Sequence, residues 1–270
     1  MARSLVVILA GVLAVLSAGC ELNVKPGAES IFDAFSDSQT PGQLAAMAID
    51  PYDPNARYIG TLGLANEAFA NEPVYINLFI DNLSDSEPAV RAAAARGLGN
   101  HGEPKDVPLL LKTLRDPDKL VRLESARALQ RLYNPVAVDG LVVAMHEPDA
   151  AKPREAFEAD SFVRAEAATA LGQYVEPRVV QALIAGLDDS ELAVNQASLA
   201  SLRVLTGQDL GLERSTWVDW LSKNEKDPFK ARGMYTYPVF RRDYRWYEYL
   251  PYVPKPKNEV ETPSAGLPRS

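Results

Sequence analysis

The chain has 270 residues, room for one large domain or two small ones, and its 47% apolar and 24% charged content suits a packed core rather than a disordered chain. A formal charge of −8 argues against a broad basic surface for nucleic acid. One cysteine rules out an internal disulfide, and two histidines, His101 and His146, leave almost nothing for a metal site rich in Cys or His.

The chain opens with Arg3 as its only charge before Glu21, and an apolar run extends from Leu5 to Leu16. A basic start, about a dozen apolar residues and then small residues form a secretory leader, too short for a membrane span of ~20 residues. The stretch Leu16-Ser17-Ala18-Gly19-Cys20 resembles a bacterial lipoprotein lipobox, with Ser17 where an apolar residue is usual. The resemblance implies a leader over residues 1–19 and lipidation of Cys20. The anchored chain would face the periplasm, and Glu21 after the cysteine favours the outer over the inner membrane. Residues 20–51 then read as a tether ending in a short helix, which opens at a Thr40 cap and first-turn Pro41 and runs through Ile49.

From residue 52 to 207 the chain repeats itself. Pro73, Pro104, Pro135 and Pro177 open similar segments at spacings of 31, 31 and 42. Ten residues on stand Leu83, Leu114, Met145 and Leu187, and two further on the acids Asp85, Asp116, Glu147 and Asp189. Val90-Arg91, Val121-Arg122, Val163-Arg164 and Val194-Asn195 follow, each with a leucine eight residues after the valine. Arg57 and Gly63-Leu64 echo the pattern once more upstream, and the eleven extra residues of the third copy fall at Ala150–Asp160. A period in this range predicts stacked helix pairs, because a single pair cannot bury its own apolar face.

These motifs resemble HEAT repeats, especially the phycobilisome-lyase-like variety. The resemblance implies an all-α, right-handed α-solenoid of four to five helix pairs, with the second helices lining a concave surface. It also implies a structural role for the repeated arginines, each bridging to the neighbouring unit's turn. A second row, Arg96, Glu124, Arg127, Arg131, Glu166, Thr169 and Gln173, falls on the side of the second helices away from their own core. It reads either as a solvated face of helix-spaced pairs or as a partner surface built on Arg96, Arg127 and Arg131. The insertion adds Lys152, Arg154 and Phe157 as further partner candidates, or is a tolerated surface loop.

Residues 208–228 predict a capping helix in which Trp217 and Trp220 cover the apolar end of the array. Residues 229–254 form a proline-broken arm, with nine aromatics and five basic residues between Phe229 and Tyr252. It either packs back along the solenoid or meets a partner through Arg241, Arg242, Tyr244, Trp246 and Tyr247. Residues 255–270, proline-rich and polar, read as disordered. His146-Glu147 is a single His-Glu pair, too few ligands for the di-iron chemistry of another HEAT family, and no phosphate loop, dinucleotide fingerprint or nucleophile elbow is present. With no catalytic residue, metal or cofactor assigned, the expected function is a membrane-anchored, non-enzymatic scaffold. Its partner would be an envelope protein or polymer, not nucleic acid. The alternative is a bilin-lyase-like HEAT enzyme or accessory factor, distinguished by a deep polar pocket gathering Arg, Glu and Tyr from separate repeats.

Overall fold

The computed structural model describes residues 39–146, 158–239, 246–250, 253 and 260–268. Eleven α-helices account for most of them. They run α1 Pro41–Ala48, α2 Pro54–Ala65, α3 Pro73–Asn82, α4 Pro88–His101, α5 Val107–Thr113, α6 Lys119–Arg131, α7 Ala137–Met145, α8 Ser161–Leu171, α9 Pro177–Gly186, α10 Leu192–Thr206 and α11 Arg214–Lys223. Short 3-10 turns stand at Ala68–Asn71 and Pro104–Asp106. Among the described residues the β content is one isolated parallel bridge, Leu132 to Ala265.

Helix starts follow the local chemistry. Thr40 and Gln43 make a reciprocal capping box before α1, and Asp53, Asp118 and Asp160 cap α2, α6 and α8 through N–H groups of the first turn. Each such cap contributes ~1 kcal/mol. Prolines occupy the first turn of six α-helices, where the missing N–H has no intrahelical acceptor to lose.

The helices pair as α1/α2, α3/α4, α5/α6, α7/α8 and α9/α10, and the second members stack in one layer, α2 on α4, α4 on α6, α6 on α8 and α8 on α10. The fold is an all-α solenoid of stacked helix pairs. The repeated register of the sequence becomes its core: Leu64, Leu98, Leu129, Leu171 and Leu202 are fully buried, as are Val90, Val121 and Val194. Small residues let the layer close up. A Cβ on Gly99 would stand 2.8 Å from both Cα and Cβ of Ala128, so α4 and α6 need glycine there to touch. At the far end Trp217 of α11 is fully buried, its Nε1 donates to the Gly211 carbonyl at 2.8 Å, and Trp220 meets it edge-on.

Two extended straps then return to the solenoid. Gly207 ends α10 at φ +68° with Ala231 O 2.0 Å from any added Cβ, and Gly233 N–H donates to Val204 O at 2.7 Å. Tyr235 follows, buried. The second strap, residues 260–268, is hydrogen-bonded to the solenoid within the stretch 255–270 that the sequence reading expected to be disordered; the rest of that stretch lies outside the described residues. Ala265 N–H donates to Arg131 O at 2.7 Å and Ala265 O accepts from Tyr133 N–H at 2.8 Å, where the chain leaves α6 in extended conformation. The order comes from backbone hydrogen bonds that proline-rich composition does not advertise. The straps also meet each other, through Tyr237 N–H to Thr262 O and Thr262 Oγ1 to the Tyr237 hydroxyl at 2.6 Å.

The chain divides into two units, this one over 40–240 and 259–270 and another over 1–39 and 241–258. Of the latter, Trp246–Tyr249 forms a 3-10 turn with Trp246 and Tyr249 largely exposed. None of the described helices is long and apolar enough to cross a membrane.

Candidate functional site

The repeated arginines form the buried framework on which the site stands. Arg57 grips Asp85, Arg91 grips Asp116, Arg122 grips Glu158 and Arg164 grips Asp189. Each uses Nε and Nη2 on the two carboxylate oxygens at 2.6–3.0 Å. Nη1 of Arg91, Arg122 and Arg164 donates to two carbonyls of the turn before its own helix. The carboxylate in turn accepts a backbone N–H two residues further along. One guanidinium therefore caps its own turn and pins the next. Burial opposes ionisation of Asp85 and Asp116, but their arginines and turn N–H groups outweigh it and hold both carboxyls below the usual range. In the last copy Asn195 Nδ2 donates to Gly186, Leu187 and Asp189 carbonyls, which keeps the turn cap where there is no further repeat to pin.

One rung departs from the sequence reading. The acid at the expected position is Glu147, yet Arg122 pairs with Glu158. The inserted stretch displaces the turn acid to its far end, so counting forward from Pro135 lands before the insertion.

A second row of charges runs along the cavity side of the second helices. Arg96 of α4 makes a two-pronged contact with Glu124 of α6 at 3.0 and 2.8 Å. Arg127 of α6 donates to Glu166 of α8 at 2.9 Å and to Glu124 at 3.1 Å. Gln130 Nε2 reaches the same Glu166 at 2.6 Å. Burial pushes the Arg127 pKa down, and the bond to Glu166 with the two carboxylate charges raises it beyond that, so the guanidinium stays fully charged. These side chains, with Asn66, Asn100 and Arg131, surround a cavity of about 410 Å³ floored by Gly99 and Ala128 and walled by Pro238 and Val239 of the first strap. Arg131 lies with its Cζ 4.5 Å above the Tyr237 ring, a cation–π contact that ties the cavity rim to the strap. Three arginines face two carboxylates, so the cavity carries one net positive charge.

The structure thus gathers Arg96, Arg127 and Arg131 in one place, with Glu124 and Glu166 from the same row. Thr169 instead donates to the Ala165 carbonyl of its own helix, and Gln173 is buried with Nε2 on Leu129 O and Ala170 O. Asn66, Asn100 and Gln130 escaped the sequence reading. Asn66 follows α2 and Asn100 lies in the last turn of α4, where donation to Leu62 O and Ala65 O is the legible clue. His101 packs on Phe79 with Nε2 3.0 Å from Ala65 O, and burial lowers its pKa, a core role rather than a metal ligand's. Among the described residues no cluster of His, Cys, Asp and Glu is arranged to hold a metal. Cys20, Lys152, Arg154, Phe157, Arg241, Arg242 and Tyr244, and the Tyr247 side chain, lie outside the described residues.

Comparison with known proteins agrees with the repeat reading. Residues 76–159 match the model for HEAT repeats, and residues 163–189 match the model for the PBS lyase HEAT-like repeat. No curated protein matches. Among solved structures, the chain is similar to a chain in the complex of CpcE and CpcF of phycocyanin lyase from Nostoc sp. PCC7120. The identity is 22% over 63% of this chain and 78% of that one, and the TM-score is 0.40. The expectation of a non-enzymatic envelope scaffold is corrected by the PBS lyase HEAT-like match at 163–189, which favours the lyase-like alternative.

Proposed function

We propose that the chain is a bilin-lyase-like HEAT protein, an enzyme or accessory factor that holds an open-chain tetrapyrrole in the cavity over α4, α6 and α8. The observation that carries this reading is the cavity itself. It is polar, about 410 Å³ in volume and supplied with arginines by successive repeats. The match of residues 163–189 to the PBS lyase HEAT-like repeat supports it. A bilin is a flat, mainly apolar chain of rings that carries two propionate carboxylates. Arg96 and Arg127 already bind carboxylates here, and they are 40% and 47% exposed. A propionate can therefore take the place of Glu166 at the Arg127 guanidinium, because Glu166 is 24% exposed and keeps the Gln130 amide as a donor. Arg131 and Tyr237 offer a flat cationic and aromatic edge for the rings.

Titration of the purified chain into biliverdin tests the reading. Saturable induced circular dichroism in the visible band is the expected result, weakened about tenfold in Arg127→Ala, a change of ~1.4 kcal/mol. An unchanged spectrum would exclude a bilin site.

We also propose a location, supported by the lipobox-like stretch alone: residues 1–19 direct export and Cys20 carries the lipid that holds the chain at the membrane. A palmitate analogue should label the wild-type chain and not Cys20→Ser; equal labelling would refute the anchor.

A further inference from the structure

The charged cavity is closed on one side by a segment that is lightly held. Gly233 N–H donates to Val204 O at 2.7 Å, and from there to Val239 the first strap makes one further main-chain hydrogen bond among the described residues, Tyr237 N–H to Thr262 O at 3.3 Å. That acceptor belongs to the second strap, not to a helix. Side chains complete the attachment: the Thr262 hydroxyl donates to the Tyr237 hydroxyl at 2.6 Å, Arg131 stacks on the Tyr237 ring, and Tyr235 is buried. The second strap is held differently. Ala265 uses both of its main-chain groups, on Arg131 O at 2.7 Å and Tyr133 N–H at 2.8 Å, and a Cβ added to Gly266 would stand 2.5 Å from Cγ of Pro104. A stretch with few main-chain bonds to its surroundings opens at lower free energy than one pinned at several points. The buried end of the first strap also carries a cost. The Tyr235 hydroxyl lies in the field of Glu166, Arg131 and Tyr174, yet has no hydrogen-bond partner among the described residues. A hydroxyl enclosed that way has given up the water it bonds when exposed, and lifting the strap returns it.

We infer that residues 234–239 form a gate over the charged cavity, latched shut by Thr262 of the second strap and pressed toward opening by the unpaired Tyr235 hydroxyl. Pro238 and Val239 are the part of the cavity wall that the gate carries. Opening removes them from the wall and uncovers the face of Arg131 on which Tyr237 lies. Closing restores the wall and the stack together. The latch stays in place in both states, because its anchors are Arg131 O, Tyr133 N–H and Pro104 rather than the first strap. A segment that closes over a site in this way sets how fast a ligand enters and leaves. The gate is a property of the empty chain; its consequence for biliverdin alone rests on the function proposed above.

Hydrogen exchange at single amides of the full chain, followed by NMR without ligand, tests the gate. After correction for intrinsic rates, the Tyr237 amide should exchange roughly tenfold faster than the Ala265 amide, or more. Thr262→Val removes the hydroxyl of the latch, and should speed Tyr237 exchange several-fold while leaving Ala265 as in the wild type. Tyr235→Phe keeps the ring and removes the unpaired hydroxyl, and should slow Tyr237 exchange several-fold. Equal rates at Tyr237 and Ala265, or a Tyr237 rate in Thr262→Val that matches the wild type, would overturn the gate. Faster exchange in Tyr235→Phe would overturn the role given to that hydroxyl. Stopped-flow mixing with biliverdin reads the consequence: Thr262→Val should speed association and dissociation by the same factor. Unchanged rates would overturn control of the cavity by the strap, whereas a chain that binds no biliverdin would count against the bilin reading and leave the exchange rates to decide the gate.

Discussion

Two rows of arginine and carboxylate run along the same stack of helices, and they differ in depth. In the turn row Arg164 and Asp189 are 3% and 4% exposed, and every guanidinium prong has a protein acceptor. In the cavity row Arg96 and Arg127 are close to half exposed and bind carboxylates that also face the cavity. The same residue types therefore do different work. A buried pair has nothing to exchange with, since breaking it strands a charge out of water, whereas a half-exposed guanidinium keeps a solvent face on which a second carboxylate can bind. Depth, not composition, separates framework from binding site.

Breaking the buried row should have the largest effect. Arg164→Ala leaves Asp189 buried without its partner and uncaps the Glu158–Ala159 turn, and should lower stability by about 3–5 kcal/mol in urea titrations. A loss under 1 kcal/mol would place that row with the exposed pairs. Acid should weaken the fold in two stages, first at His101 in the core and then at the turn row. His101 has a folded pKa below its ordinary 6.5, so the unfolded chain takes up the proton first, and stability held above pH 6.5 falls as the pH drops below it. Asp85 and Asp116 have folded values below 3.8, so a second and steeper loss follows below about pH 4. Urea midpoints at pH 7.5, 5.5 and 3.5 should decline in that order, and a midpoint that rises on acidification would contradict the framework. Asn195→Ala removes three turn contacts but no charge pair, and should cost about 1 kcal/mol. Arg127→Ala should cost at most about 1 kcal/mol in stability while losing bilin affinity, the reverse of the Arg164 outcome.

Much of the framework was legible in the sequence. A valine stands eight residues before a buried leucine in each copy, with arginine after it in all but the last, and that period sets both the core and the turn row. Reading failed where distance along the chain stopped reporting distance in space. Glu158 took the place of Glu147 because an insertion intervenes. The 260–268 strap was missed because its order rests on backbone groups of Arg131 and Tyr133, more than a hundred residues away in sequence. The candidate site was half visible. Arg96, Glu124, Arg127, Arg131 and Glu166 share a face by helical spacing, but their closure into a cavity needs Pro238 and Val239 of the returning strap. The scaffold reading was overturned by the PBS lyase HEAT-like match at 163–189 rather than by any motif, since a pocket built between elements has no motif within any one of them.

A crystal structure of the chain soaked with biliverdin tests the central claim most directly. The account predicts electron density for the tetrapyrrole against α4, α6 and α8, with a propionate oxygen within hydrogen-bond reach of the Arg127 or Arg96 guanidinium. A bilin seated elsewhere, with both arginines still on Glu124 and Glu166, would contradict it.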